Sequence, residues 1–362
     1  MTIDRAKAAR KSRSRTKAAV WQILALFAAS IPASMVSTAW GQPLAKQRTD
    51  GSIWFFDGLA CGSTCSGWIQ IDNNPNVRTI AAGGTSVYKI HNDGTIWQYS
   101  GNYGGCSGGT CPGWTMIDDN PSGFWIGVGW DGTLYQTHWN GSVWQFTGPA
   151  CSGSYCPGWA PLDYTPNAFF EAGGGLYERR GSNSLYTLWR YTGTPCSGTS
   201  CPGWQEIDSS SNFSGYYYAG QTALYVANND NTLWQYTPGA VRRGSTNWVQ
   251  IDYDPQAIWS DLAAAGTVYK VRGDRSIWQY NGTPCSGGAC TGWTPLDGNP
   301  DTAAVFAGYT MLFQQHASDY TLWQYTGTPC NSNGCTGWVQ VDADPNTVRL
   351  VIGGSGQLIS SE

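Results

Sequence analysis

The stretch TLWRYTGTPCSGTSCPGWQEID, residues 187–208, contains the unit from which the chain is built. Trp189 is followed fifteen residues later by Trp204, and Asp208 comes four residues after that. This arrangement recurs. The leading tryptophans are Trp54, Trp97, Trp144, Trp189, Trp234, Trp278 and Trp323, and the trailing ones are Trp68, Trp114, Trp159, Trp204, Trp248, Trp293 and Trp338. The aspartates are Asp72, Asp118, Asp163, Asp208, Asp252, Asp297 and Asp342. Seven units at a period of 43 to 47 residues are the signature of a repeat architecture.

Aromatic and branched residues alternate with polar ones from Thr187 to Tyr191 and from Gly203 to Asp208, the period of a half-buried strand. Upstream, Ala168 to Ala172 and Leu176 to Arg179 supply two more strands, with Gly173 to Gly175 between them. In neighbouring units Asp93-Gly94 and Asn140-Gly141 mark tight hairpins between second and third strands. Nothing predicts a helix. Four antiparallel strands per unit predict an all-β, seven-bladed β-propeller. Small-residue runs such as Ala81 to Gly84, Ala172 to Gly174 and Ala263 to Gly266 suit the crowded inner strands, and the fourth strands form the rim. The ends of the chain are partial units. Ser52 to Phe56 reads as a third strand, Val348 to Ile352 as a first and Gly356 to Ser360 as a second. One blade is therefore expected to combine two strands from each end, which removes exposed sheet edges.

Residues 1–41 read differently. Seven basic residues precede an apolar run from Ala18 to about Val36, and Ala39-Trp40-Gly41 supplies small residues for cleavage. This predicts a secretory signal peptide, with 42–362 as a single mature domain, extracellular or, in a bacterium, periplasmic. Removing the seven basic residues and Asp4 from the chain's 20 and 24 leaves 13 basic and 23 acidic residues, net −10. Such a surface repels phosphate backbones, which argues against nucleic acid and anionic lipid as partners. No later segment predicts membrane insertion.

All twelve cysteines lie in the mature part, as close pairs: Cys61 with Cys65, Cys106 with Cys111, Cys151 with Cys156, Cys196 with Cys201, Cys285 with Cys290 and Cys330 with Cys335. Each pair precedes a trailing tryptophan. Export makes six local disulfides the expectation. Two thiols per unit, with no histidine at ligand spacing, do not make a metal site.

Three histidines, His91, His138 and His316, each follow a second-strand aromatic (Tyr88, Tyr135, Phe313) by three residues, and other units put Arg180, Asn228, Arg272 and Ser361 there. Equivalent positions around a ring do not converge on one reacting centre, so no catalytic triad is predicted. The ring is either a set of solvated turn residues or a set of ligand contacts. The trailing tryptophans follow stiffened loops. They either fill the space between blades or present a flat face, which beside amides and carboxylates suits a sugar. Each aspartate runs into a turn such as Asp72-Asn73-Asn74-Pro75 and reads as a local backbone acceptor. One carboxylate per blade is too few for calcium, although Asp119, Asp254 and Asp344 add acids locally. No metal or cofactor is expected. Glu171 and Asp261 break the repeat near the axis and are the enzyme candidates, since a glycosidase needs two carboxyls about 5–5.5 Å apart for retention or about 6.5–9.5 Å for inversion.

The Leu-Tyr pairs Leu134-Tyr135, Leu176-Tyr177 and Leu224-Tyr225, the third-strand runs Trp189 to Pro195 and Trp323 to Pro329, and the outer strands opening on tryptophan resemble the tectonin and tachylectin-type propeller lectins over about residues 50–362. The resemblance implies multivalent carbohydrate binding in shallow pockets between neighbouring blades, without metal or catalysis. The matching positions are the second-strand tyrosines (Tyr88, Tyr135, Tyr177, Tyr225, Tyr269) and the leading and trailing tryptophans. Glycans or glycoconjugates on cell surfaces are the expected partners. The cysteine pairs are an elaboration on that pattern. Blade five lacks a pair, with Pro238 to Arg243 in place of the loop, and the composite blade has Leu358 where others have tyrosine. Two other functions stay open: a protein-interaction platform, which needs an exposed apolar patch on one face, and a propeller hydrolase using Glu171.

Overall fold

A computed structural model describes residues 43–99, 105–166, 169–182, 185–238, 248–308, 311–331 and 334–353, all within one compact unit, Gly41–Glu362. The expected signal peptide lies outside the described residues. Seven four-stranded antiparallel sheets make a seven-bladed β-propeller. Blade 1 consists of Thr347–Ile352, Leu44–Arg48, Ile53–Phe56 and Trp68–Asp72, from the axis outward. Blade 2 is Val77–Gly83, Ser86–His91, Ile96–Tyr99 and Trp114–Asp118; blade 3 is Gly123–Val128, Leu134–His138, Val143–Phe146 and Trp159–Asp163. Blade 4 is Phe169–Ala172, Leu176–Ser182, Leu185–Tyr191 and Trp204–Asp208; blade 5 is Phe213–Ala219, Leu224–Asn228, Thr232–Tyr236 and Trp248–Tyr253. Blade 6 is Ala263–Ala264, Val268–Val271, Ile277–Tyr280 and Trp293–Asp297; blade 7 is Thr302–Gly308, Met311–His316, Leu322–Tyr325 and Trp338–Asp342. The first strands touch one another in cyclic order, which places them innermost and closes the ring. A single turn of 3-10 helix, Trp259–Asp261, is the one helical element among the described residues.

The composite blade differs from expectation in its second strand. That place is taken by Leu44–Arg48, which pairs with Thr347–Ile352 on one side and Ile53–Phe56 on the other. Gly356 to Ser360 lies outside the described residues. Three strands thus come from the N-terminal end and one from the C-terminal end. Leu44-Ala45-Lys46-Gln47-Arg48 contains no aromatic residue and carries two cations, so it does not read as a strand of this repeat. Ala45 stands where other blades have tyrosine or, in blade 7, Phe313, and Arg48, not Ser361, completes the polar ring.

The hydrophobic core is divided into seven clusters, one between each pair of consecutive blades. Both faces of every blade are therefore buried, as a radial sheet requires. The second-strand tyrosines belong to these clusters or line them: Tyr88, Tyr177, Tyr225 and Tyr269 are buried and Tyr135 is half-buried. Their role is packing. In every blade the third-strand aromatic leans on the trailing tryptophan, for example Tyr99 on Trp114 at 5.1 Å and Tyr236 on Trp248 at 4.9 Å between ring centroids.

A β-bulge recurs in the fourth strand. Ile53 pairs with Asp72 but Trp54 pairs with Gln70, and the same skip occurs in all seven blades. The skipped residue breaks the alternation of faces. Ile71 and Asp72 consequently both turn toward blade 2, where Ile71 joins the core and Asp72 meets Lys89.

Candidate functional site in the seams between blades

At three seams the outer strand of one blade offers three consecutive acceptors to a cysteine, a tryptophan and a lysine of the next blade. At the 7/1 seam, the Cys61 N–H donates to the Gln340 carbonyl at 2.8 Å, the Trp68 indole N–H to the Val341 carbonyl at 2.9 Å, and Lys46 Nζ to Asp342 Oδ2 at 2.6 Å. At the 1/2 seam Cys106, Trp114 and Lys89 take Gln70, Ile71 and Asp72 in the same way. Cysteine N–H and tryptophan Nε1 repeat this grip at the 2/3, 3/4, 5/6 and 6/7 seams.

All six expected disulfides are present. Cys61 is bonded to Cys65, Cys106 to Cys111 and Cys151 to Cys156. Cys196 is bonded to Cys201, Cys285 to Cys290 and Cys330 to Cys335. The first cysteine of each pair makes the backbone bond to the preceding blade, so each bridge closes a loop that reaches over that blade. The second cysteine, among them Cys111, Cys201, Cys290 and Cys335, returns the chain to its own trailing tryptophan three residues on. The pairs therefore fasten the blades and do not hold a metal.

These contacts bear on two expectations. The aspartates are more than turn acceptors: Asp163 and Asp208 do accept the N–H two residues on, but all seven are buried. Lys46, Lys89 and Lys270 pair with Asp342, Asp72 and Asp252, and Gln136 donates to Asp118 at 2.9 Å. The trailing tryptophans are half-buried or buried clamps between blades, with Lys Nζ 4.3–4.5 Å from the ring centroids of Trp68, Trp114 and Trp293.

The leading tryptophans are half-buried in every blade and form the wall of the seam. Each donates its indole N–H to the Ser or Thr hydroxyl two residues upstream, at 2.8–3.1 Å. The polar ring covers their faces. His138 stacks on Trp144 and His316 on Trp323 at 5.4 Å, His91 lies 5.8 Å from Trp97, and Arg48, Arg180 and Arg272 lie over Trp54, Trp189 and Trp278. Four ring residues are thus not solvated, since the three histidines and Asn228 are buried, and the three arginines are half-buried. Burial holds His91 and His138 below the usual imidazole range, with Lys89 adding to the effect at His91.

Ring residues are matched to the connection that precedes them. Arg48 and Arg272 pair with Asp344 and Asp254 at 2.8 Å, each in an Asp-x-Asp-Pro connection. His91 and His316 meet Asn74 and Asn299, each in an Asp-x-Asn-Pro connection. Lys46, Arg48, Asp254 and Asp344 were not among the expected site residues. The signal that finds them is this covariation of an acid or amide in one unit with a ring residue in the next.

Between blades 7 and 1 the seam widens into a cleft of about 520 Å³. Arg48, Trp54, Trp68, the Cys61–Cys65 loop and Asp342 to Asp344 line it. At the 3/4 seam the chain fills the same position itself. Arg180 lies 4.4 Å from the Trp189 ring and 5.4 Å from the Trp204 ring, and its Nη2 reaches Asp163 at 3.2 Å and Glu178 at 3.0 Å. Glu178 replaces the lysine of other blades and has no exposed surface. Burial, together with the Asp163 carboxylate beside it, pushes its carboxyl up to about 9 against the pull of Arg180.

Glu171 is half-buried on the inner strand of blade 4, opposite Tyr177, and burial raises its carboxyl well above the ordinary range. The side chain of Asp261 lies outside the described residues, as does the blade-five segment 239–247. Among the described residues, two side-chain clusters bring three candidate ligand atoms within 4.8 Å of one another. Asp301, His316 and Asp319 are engaged locally, by Ser318 and Thr321. Asp118 and Asp119 are joined there by Cys156, which is held in a disulfide.

One end of the inner strands carries exposed aromatics. Phe124 and Trp139 of blade 3 lie 4.1 Å apart, with the Arg78 guanidinium 5.8 Å from the Trp139 ring. Phe169 of blade 4 lies 4.7 Å from the Arg179 guanidinium, which donates to the Gly215 carbonyl beside exposed Tyr216. Trp139 is 64 % exposed and Phe169 59 %. No helix among the described residues is long and apolar enough to cross a membrane.

No protein-family model matches the sequence, and no curated protein matches it. Among solved structures, the chain is similar to one in the crystal structure of Kap60 bound to yeast RCC1 (Prp20), with a TM-score of 0.52 and 11 % identity over 87 % of this chain and 88 % of that one. Human WBSCR16 gives a TM-score of 0.44 at 13 % identity, over 77 % of this chain and 86 % of that one. At this level of identity the likeness to the first structure establishes the propeller fold and nothing finer.

Proposed function

We propose that the protein is an interaction platform, a closed ring that holds a macromolecular partner without chemistry of its own. The observation that carries this reading is the set of exposed aromatics Phe124, Phe169 and Tyr216 on three successive inner strands, with exposed Trp139 packed on Phe124. Exposed large aromatics grouped with arginine mark interaction surfaces more often than they occur by chance on a free surface. RCC1, which shares the fold, is bound to Kap60 in the structure cited above. Chemical cross-linking in the protein's native medium, followed by peptide mapping, tests the proposal. Cross-links to a partner should cluster near residues 124–139, 169 and 216 and disappear in the Phe124→Ser/Trp139→Ser variant. Cross-links confined to the outer rim would rule the surface out.

A second reading, glycan binding in the seams, is favoured by the cleft between blades 7 and 1. An indole wall, a guanidinium, two carboxylates and loop backbone meet there at the scale of a mono- or disaccharide. Recurrence around the ring would add avidity to weak single sites. Glycan-array binding lost on Trp54→Ala is the expected result. Absence of any glycan bound at millimolar concentration would remove this reading.

A further inference from the structure

Three seams contain a lysine supplied by the chain and a fourth contains Arg180, whereas two equivalent seams have no such cation. Lys46, Lys89 and Lys270 place an ammonium 2.5–2.7 Å from the aspartate of the preceding blade and 4.3–4.5 Å from the centroid of a trailing tryptophan ring. Blades 3 and 7 carry Gln136 and Gln314 at this position. A glutamine amide is neutral, so Asp118 and Asp297 remain buried opposite no charge of their own. Among the described residues no cation lies over Trp159 or Trp338.

Both glutamine seams hold buried polar atoms without a partner, as does the 3/4 seam at Glu178 Oε1. Gln136 uses its amide N–H on Asp118, which leaves Oε1 buried without a partner, and the neighbouring His138 Nε2 also has none. In blade 7, Gln314 Oε1 accepts from Thr302, and Asp297 Oδ2 is buried without a partner. The lysine-bearing seams leave no such oxygen on Asp72, Asp252 or Asp342. Buried acceptors beside a bare indole face are the complement of an ammonium, which carries three donors and a charge attracted by the aromatic ring.

We infer that the 2/3 and 6/7 seams bind a primary ammonium group of the ligand, in the position that the chain's own lysine fills in three other seams. This deepens the reading of the seams as binding clefts and rests on it. The carrier is an amino sugar or the lysine side chain of a partner. The His138–Trp144 and His316–Trp323 stacks border the two sites, and no arginine occupies the ring position in either blade. Burial raises the Asp118 carboxyl to about 6, a state that an incoming cation would relieve.

The test titrates the intact protein with glucosamine, glucose, Nα-acetyl-lysine methylamide and its uncharged norleucine analogue, reading calorimetric stoichiometry and indole N–H shifts. The amines should bind about tenfold or more tighter than their neutral counterparts, at two sites. Gln136→Lys together with Gln314→Lys fills both positions as the other blades do and should abolish amine binding while leaving the thermal midpoint unchanged or higher. Lys89→Gln should raise the stoichiometry from two to three. Binding of glucosamine alone assigns an amino sugar, and binding of the lysine amide alone assigns a partner's lysine. Amine binding that survives in the double-lysine variant, or no preference for amine over neutral ligand, overturns the inference. In the latter case, glucose binding that is lost on Trp54→Ala would leave the cleft reading standing.

Discussion

Trp68 donates its indole N–H to the Val341 carbonyl at 2.9 Å, joining residues 273 positions apart in the chain. The bond is buried and closes the ring between blades 7 and 1. Trp68→Phe keeps the aromatic packing on Phe56 and removes the donor. Urea unfolding should report a loss of about 1–2 kcal/mol, the cost of leaving a buried carbonyl unmet. An unchanged midpoint would show that the seam is held by packing alone.

Lys89 and Asp72 form a buried pair at 2.7 Å, and removing one partner strands the other. Lys89→Met should therefore destabilise the fold by about 3–5 kcal/mol. The double variant Lys89→Met/Asp72→Leu should recover most of that, since an apolar pair can replace a buried ion pair. Equal losses in the single and double variants would contradict this account of the seam.

The Glu178 carboxyl titrates at about 9 in the folded chain, above its ordinary 4.5. Folding therefore favours its protonated form, so its contribution is fully present below about pH 4.5 and declines as pH rises toward 9. Glu178→Gln keeps a donor for Asp163 and an acceptor for Arg180 and cannot ionise. The variant should gain about 2–4 kcal/mol at pH 7 relative to wild type, and the difference should vanish near pH 4. Denaturant midpoints measured across that range decide the matter.

Leu44–Arg48 supplies the second strand of blade 1, with partners on both sides. Deleting these five residues should leave two sheet edges unpaired and give an aggregating or unfolded product by circular dichroism and light scattering. Ending the chain after Gly353 removes none of the four strands and should preserve the fold. The opposite pattern would restore Gly356 to Ser360 as the second strand.

Blade number, strand order and the six disulfides were legible because tryptophan spacing and cysteine pairs repeat in register. The identity of one strand was not. Leu44–Arg48 is defined by its two neighbours across the closure, and its own residues carry little of the repeat. At Asp163 and Asp208 the aspartates accept turn N–H groups as their sequence context predicts, but their reach into the next blade was not legible, for a different reason. Alternation places adjacent residues on opposite faces, and the bulge at each Ile-Asp, Leu-Asp or Val-Asp step cancels that rule, with a proline beside it only at Pro161 and Pro295. The tryptophans were distinguishable only in part. Periodicity locates both sets, but which one clamps a neighbour depends on which strand is outermost and on where the following loop turns.

Every cysteine loop reaches back to the blade before it, so the ring is assembled from hooks that all point the same way. A hook made in the middle of the chain finds its eye already synthesised. The loop of Cys61 and Cys65 is the exception, because Gln340 emerges last. The first fastening to leave the ribosome is thus the last to engage, and a chain cut short by one blade would carry an open hook at its head as a mark of incompleteness.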